Sequence, residues 1–331
     1  MTANLSYQGR VYELQDGETV LDGLQRHGQE VPSSCKAGAC QSCLMQAHEG
    51  NPGSKAQVGL KDTLKAQNFF LACQCVPNED LNVSLPSLAD TTIPAEIVGK
   101  EQLCHNVIAL RLKLSSDFTC RAGQYISLLR ENGSVIRSYS VANLSAQDGF
   151  LELHIRRIDN GAMSVWACDQ AKNGDKVHVR GPAGECFYIA ADGVQTFPIL
   201  LAGTGTGLAP LVGVVLDALA QGHKGDIRIL HGALNENDLY HIDMLKKLAK
   251  QHENLTYTPC VLNMEQDKPG FHTGSLDQFV MHIMEPLDKK TLRTYFCGAP
   301  DMVNLLKKKV FLAGVASKNI YSDPFIMKNK Q

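Results

Sequence analysis

Cysteine supplies the first chemistry. Cys35, Cys40 and Cys43 form a C-x4-C-x2-C run, and Cys73 follows after twenty-nine residues. Four thiolates at this spacing are the ligand pattern of a [2Fe–2S] cluster. The residues around them are small (Ser34, Ala37, Gly38, Ala39), so the loop can wrap closely and aim backbone N–H groups at the sulfurs. Such hydrogen bonds stabilise thiolates and tune the potential. A zinc site usually joins two short cysteine knuckles, whereas only one short pair occurs here; zinc or unliganded thiols are the alternatives. The fourth ligand is open between Cys73 and Cys75. They stand two residues apart, about 6.5 Å along a strand, and only one of them can reach the iron.

Two further constellations point to nucleotides. Arg137-Ser138-Tyr139-Ser140 combines a cation, an aromatic ring and hydroxyls, and taken alone fits a bare strand equally well. Gly203, Gly205 and Gly207 sit between an apolar run, FPILLA, and a helical one. Glycines there let the backbone approach a dinucleotide at a helix start. The G-x-G-x-x-G fingerprint is absent, because position 208 is Leu, so a plain tight turn is the competing reading.

These groups need elements to hold them. Residues 1–86 read as short strands around a Gln8-Gly9 turn, a helix Val20–Arg26 stopped near Gly28, and a last strand in which Leu81, Val83 and Leu85 alternate with polar residues. Residues 84–94, with Pro86 and Pro94, read as a linker. From 95 to 192 apolar residues alternate, as at Ile108, Leu110, Leu112 and Leu114, between Gly-rich turns, which predicts a small barrel. After 195 strand and helix alternate, including a helix expected over 238–252, which predicts a doubly wound parallel sheet. The expected domains are 1–88, 95–192 and 195–331.

With these motifs in order, the chain resembles the oxygenase-type electron-transfer reductases of the ferredoxin–NADP reductase superfamily, in ferredoxin–FAD–NAD order, over nearly its whole length. The resemblance implies a multidomain protein: a β-grasp [2Fe–2S] ferredoxin domain, a six-stranded antiparallel FAD-binding barrel and a doubly wound nucleotide-binding domain. It implies Cys73 as the fourth ligand, since FFLACQC resembles the family's strand end, with Cys75 a packed thiol. It assigns Arg137 to the FAD pyrophosphate, Tyr139 to stacking on the isoalloxazine, and Ser140 to flavin N5, with Ser138 between them. LHIRR brings His154, Ile155 and Arg156 to the flavin. Gly161-Ala162-Met163-Ser164 resembles the family's pyrophosphate turn, and Gly181-Pro182-Ala183-Gly184 closes the barrel. Gly203-Thr204-Gly205-Thr206-Gly207 resembles its nicotinamide loop. Cys297-Gly298-Ala299-Pro300 resembles C-G-P-P, departing at Ala299, and puts Cys297 and Gly298 at the nicotinamide–flavin contact; a buried strand thiol is the bland reading of Cys297. His231-Gly232-Ala233 and Asp238-Leu239-Tyr240 match a further segment, in which Leu239 would pack a helix. Phe325, in IYSDPF, would cover the flavin until nicotinamide displaces it. Cys104, Cys120, Cys168, Cys186 and Cys260 match no motif and read as core.

The implied path is NADH to FAD to [2Fe–2S] to a one-electron acceptor protein such as an oxygenase component. A reductase for a biosynthetic deoxysugar dehydratase, or a non-catalytic redox sensor or carrier, are the other readings. NADH is expected over NADPH, because His231 to Asp238 offers two carboxylates and no Arg or Lys to a 2′-phosphate; Arg228, Lys268 or Lys289 folding back would weaken that. Composition agrees. The 331 residues are 44% hydrophobic and 20% charged with net charge −2, which gives no basic face for nucleic acid. No apolar run is long enough to span a bilayer, and the start MTANLSYQGR lacks a signal-peptide core, so a cytoplasmic chain without membrane insertion is expected. Residues 1–90 carry six Lys/Arg against ten Asp/Glu. That acidity suits either docking to a basic partner or simple solvation.

Overall fold

The computed structural model describes residues 3–325 apart from 34, 61, 88–90, 131, 132, 134, 191–194 and 265. Ser34 and the six residues after Phe325 thus lie outside the described residues.

In the N-terminal sheet, β1 (Asn4–Tyr7) and β2 (Arg10–Glu13) form a hairpin. Gln8 and Gly9 both take positive φ, 50° and 74°, as a type I′ turn requires. β3 (Leu44–Glu49), β4 (Phe69–Leu71) and β5 (Leu81–Ser84) complete the order β2-β1-β5-β3-β4, with β1 and β5 parallel. Helix Val20–Arg26 lies against the sheet. Thr19 caps it by accepting from the Asp22 N–H, and Val20, Leu21, Gly23 and Leu24 are its buried face. This is the β-grasp arrangement.

Six antiparallel strands make the second unit: β6 (Ile93–Cys104), β7 (Val107–Leu114), β8 (Tyr125–Leu129), β9 (Ile136–Ser140), β10 (Leu151–Arg156) and β11 (Lys176–Ala183). Their order is β10-β7-β6-β11-β8-β9. A Val141–Leu153 bridge joins the two ends into a barrel. Alternation puts Leu110, Leu112, Leu153 and Ile155 inside. Pro94, expected in the linker, lies in β6 opposite His178. It is the second residue of the strand, close to the end where a missing N–H is tolerated.

The third sheet is wholly parallel, in the order β15-β14-β13-β12-β16-β17. Its strands are β12 (Ile199–Thr204), β13 (Ile227–Ala233), β14 (Leu255–Val261), β15 (His272–Thr273), β16 (Arg293–Gly298) and β17 (Ile320–Pro324). The order reverses between β12 and β16, and such a switch point opens a crevice at the strands' carboxyl ends. Helices Leu208–Ala220 and Pro300–Leu312 follow those two strands.

The helix expected from Asp238 begins instead at Ile242. Glu236–Asp238 is a single 3-10 turn, Tyr240 and Leu239 are buried, and His241 is left-handed at φ 58°. Burial of Leu239 and Tyr240 decides this, over a local pattern that favoured one continuous helix. Leu239 therefore packs from an extended segment.

Candidate functional site

The cluster loop curls through left-handed Lys36, Gly38 and Gln41 (φ 51°, 77° and 55°). That curl aims N–H groups at sulfur. Ala37 and Cys40 donate to Cys35 Sγ at 3.3 Å, and Cys35 donates to Cys40 Sγ at 3.4 Å. The four sulfurs lie in two hydrogen-bonded pairs, Cys35 with Cys40 and Cys43 with Cys73, and the second pair feels the charge of the first. The bond from Cys40, aided by backbone N–H groups against the cost of burial, lowers the Cys35 thiol to about 5. The bond from Cys43, aided by Gln74, lowers Cys73 to about 6. Four sulfurs in two close pairs, with backbone N–H groups aimed at them, are a donor set that fits a [2Fe–2S] cluster. Cys75 points elsewhere: its Sγ donates to the Pro52 carbonyl at 3.4 Å, and burial pushes it up to about 12.

The same loop sits on the barrel. Tyr125 Oη donates to the Ala39 carbonyl at 2.6 Å, Ser127 Oγ to the Cys40 carbonyl at 3.1 Å, and Arg180 Nη1 to the Gln41 carbonyl at 3.3 Å. Ser127 Oγ also lies 3.4 Å from Ser138 Oγ, inside the Arg137–Ser140 run. One side chain thus touches both the cysteine loop and the flavin motif. Neighbouring Arg137 is half-buried, its guanidinium donates to the Ile136 carbonyl at 2.7 Å, and it has no carboxylate partner among the described residues. A half-buried cation without a counter-ion fits a pyrophosphate. Tyr139 packs against the barrel core, and burial raises its phenol. Met163 is buried in that core, while Ser164 Oγ accepts the Ile158 N–H at 3.1 Å and closes the Gly161–Ser164 turn. Along β10, Ile155 points into the barrel and Arg156 is exposed. The His154 ring is engaged away from the motif, with Nδ1 3.1 Å from Tyr240 Oη and Nε2 3.3 Å from Glu152.

At the switch point the two glycine-bearing turns meet. A Cβ on Gly207 would strike the Cys297 carbonyl, and one on Gly205 the Arg156 guanidinium. Close approach therefore requires glycine at 207, while at 205 the left-handed φ of 54° favours it. Thr204 Oγ1 accepts the Ala299 N–H at 3.3 Å, and His231 Nε2 lies 3.2 Å from the Gly205 carbonyl. Thr206 is half-buried and Gly203 buried beside them. Cys297 is fully buried with its Sγ 3.2 Å from Cys186 Sγ, so Cys186, read as plain core, touches the site. Phe325 N–H donates to the Gly298 carbonyl at 2.8 Å.

One residue here escaped the sequence reading. Ser140 Oγ donates to Asp323 Oδ2 at 3.3 Å, and Asp323 pairs in register with Cys297. Burial pushes the Asp323 carboxyl up to about 6, against the pull of the Ser140 bond. Its only signal was a carboxylate two residues before Phe325. Ser127, Tyr125 and Arg180 gave none.

Of the basic residues able to reach the ribose region, Lys268 does fold back: its Nζ pairs with both Glu236 oxygens at 2.6 Å. Arg228 is held by Asp226 and the Ile283 carbonyl.

Fold and site together define a flavin- and nicotinamide-binding oxidoreductase with an attached iron–sulfur domain. Family models agree in order: a 2Fe-2S iron-sulfur cluster binding domain at 4–78, an oxidoreductase FAD-binding domain at 94–188 and an oxidoreductase NAD-binding domain at 201–308. The reductase subunit of an Amycolatopsis aromatic O-demethylase is 30% identical, covering 98% of this chain and 99% of its own. The reductase component of a Pseudomonas phenol 2-monooxygenase is 29% identical over 96% and 92%. Among solved structures, an Amycolatopsis cytochrome P450 reductase superposes with a TM-score of 0.68 at 28% identity, covering 98% and 99%. The ferredoxin reductase of a carbazole 1,9a-dioxygenase gives 0.67 at 22% over 98% and 99%, a likeness of fold. The chain belongs to the oxygenase-type electron-transfer reductases of the ferredoxin–NADP reductase superfamily. It is an oxidoreductase of the ferredoxin-reductase type using NADH, FAD and a [2Fe–2S] cluster. Among the described residues no helix is long and apolar enough to cross a membrane.

Proposed function

We propose that this protein passes single electrons from NADH to the oxygenase component of a multicomponent system or a similar one-electron protein acceptor. The observation that carries the reading is the Ser127 bridge, which hydrogen-bonds the cysteine loop and lies beside the flavin motif. When bound, FAD supplies the chemistry that accepts hydride and releases electrons singly to the cluster. The residues do the positioning. Cys35, Cys40, Cys43 and Cys73 hold the cluster. Arg137, Ser138, Tyr139 and Ser140 hold FAD, with the backbone of His154 and Ile155, the Arg156 side chain and the turn Gly161, Ala162, Met163 and Ser164 at its border. Gly203, Thr204, Gly205, Thr206 and Gly207 cradle the nucleotide beside Cys297 and Gly298. Ser140, Cys297 and Phe325 frame the hydride contact, and Asp323 orients the Ser140 hydroxyl. We assign the domains to 1–88, 95–192 and 195–331, with the barrel's first strand reaching back to Ile93, and place the protein in the cytosol, which eleven cysteines without a disulfide suit.

Cys40→Ser tests the path. The variant should lose iron and labile sulfide, keep FAD, and still reduce ferricyanide with NADH at the wild-type rate. Its cytochrome c reduction should fall at least tenfold. Undiminished cytochrome c reduction without a cluster would end the proposal.

A further inference from the structure

Away from the hydride contact, where barrel meets nucleotide domain, three metal-ligating side chains converge from two domains. Glu152 and His154 project from β10, and His241 stands at the start of helix Ile242–Gln251. One ligand atom from each lies within 4.8 Å of the others. Glu152 Oε1 and His154 Nε2 are 3.3 Å apart. Tetrahedral zinc with bonds of about 2.0–2.1 Å spaces its ligands by about 3.3–3.4 Å, so this pair already stands at ligand spacing.

Each donor is oriented by a group behind it. Arg111 Nε holds Glu152 Oε2 at 2.7 Å, which leaves Oε1 to face the imidazoles. Tyr240 Oη lies 3.1 Å from His154 Nδ1. A proton on Nδ1 donated to that oxygen leaves the Nε2 lone pair directed at Glu152. Outer partners of this kind fix tautomer and ring orientation in metal sites. His241 completes the set. Its left-handed backbone, φ 58°, is costly for a residue with a side chain. Its ring contacts those of His154 and Tyr240, at centroid distances of 5.1 and 5.2 Å, and makes no hydrogen bond to a described residue. His154 has no exposed side-chain surface and Glu152 only 15%, while the half-buried His241 lies on the approach from solvent. No group of the hydride contact belongs to the cluster.

We propose that Glu152, His154 and His241 bind one divalent transition-metal ion of the zinc class, with water as the fourth ligand. The ion ties the FAD barrel to the nucleotide domain. The test uses holoenzyme whose iron, sulfide and FAD contents are complete, so that the cluster cysteines are occupied. After dialysis against Zn2+ and removal of free ion, wild type should retain one zinc per chain, and zinc should raise the melting temperature of the reductase domains. His241→Gln should keep FAD and its ferricyanide activity, weaken zinc binding at least tenfold and abolish the thermal shift. Glu152→Gln should do the same to zinc. His282→Gln, altering an exposed histidine elsewhere, should bind as wild type does. No zinc retained by wild type, or equal retention by His241→Gln, overturns the site.

Discussion

Toward the nucleotide domain the barrel shares a core: Val107, Cys186 and Tyr188 are buried in one apolar cluster with Leu201, Leu211 and Ile229. Toward the ferredoxin domain, side chains on the barrel hydrogen-bond the carbonyls of Ala39, Cys40 and Gln41, while the apolar cluster of residues 5–83 is entirely that domain's own. The two boundaries suit the two transfers. Hydride transfer needs reacting atoms held in tight alignment, and a common core supplies a rigid frame. A single electron makes weaker geometric demands, and a polar contact between separately folded units meets them.

The sharpest way to break this contrast is Tyr188→Ala. Tyr188 is fully buried, and its Oη lies 3.1 Å from His223 Nδ1 and 3.3 Å from Gln195 Oε1. Removing a large buried ring costs about 3–5 kcal/mol. In denaturant titrations the loss should fall on barrel and nucleotide domain together and spare the ferredoxin transition, followed through the cluster's visible absorbance. Equal shifts in both would mean that the polar boundary couples folding too.

A second probe is a carboxylate lying across the apolar boundary. Asp323 stays neutral in the fold up to about pH 6 but ionises near its ordinary value of 3.8 in the unfolded chain. The folded state then binds more protons, so stability falls as pH climbs from about 4 to about 6, by about 3 kcal/mol in all. Asp323→Asn should remove that slope from unfolding free energies measured between about pH 4 and pH 8. A slope that persists would assign the pH dependence to other groups.

Arg180 examines the polar side. It is buried, donates to the Gln41 carbonyl and to Thr91 Oγ1, and leaves Nε without a partner. A desolvated cation beside the cysteine loop favours the reduced, more negative cluster. Arg180→Gln should shift the flavin–cluster electron equilibrium against the cluster by about tenfold, 59 mV for one electron. Redox titration by electron paramagnetic resonance reads this directly. Unchanged potential would leave Arg180 as a docking contact alone.

The smallest effect is expected at the rim, where Glu236 neutralises Lys268. Glu236→Ala frees that ammonium to meet a 2′-phosphate. The NADPH to NADH ratio of kcat/KM should rise by about fivefold, on the order of 1 kcal/mol for one exposed charge pair. A ratio that does not move would place the ribose elsewhere.

What was legible in the sequence follows from distance along the chain. Cys35, Cys40 and Cys43 announce themselves because one loop supplies them, and the strand–turn–helix runs around Gly203 and Cys297 are likewise local. Tyr125, Ser127 and Arg180 meet the cysteine loop across 86, 87 and 139 positions, and no spacing rule records such a meeting. Asp323 was in plain view beside Phe325, but its role depends on Ser140, 183 residues away. The late start of the helix at Ile242 has the same cause: a distant surface buries Tyr240 and overrides local preference.

The curl of the cysteine loop has a consequence for traffic through the enzyme. The carbonyls of Ala39, Cys40 and Gln41 accept hydrogen bonds from the barrel, while Lys36 and Ala37, on the other limb, are exposed. The limb held by the barrel and the limb open to solvent are therefore different surfaces of one short loop. A docked acceptor need not compete with the flavin for the same side of the cluster, and the ferredoxin domain need not detach and swing between donor and customer.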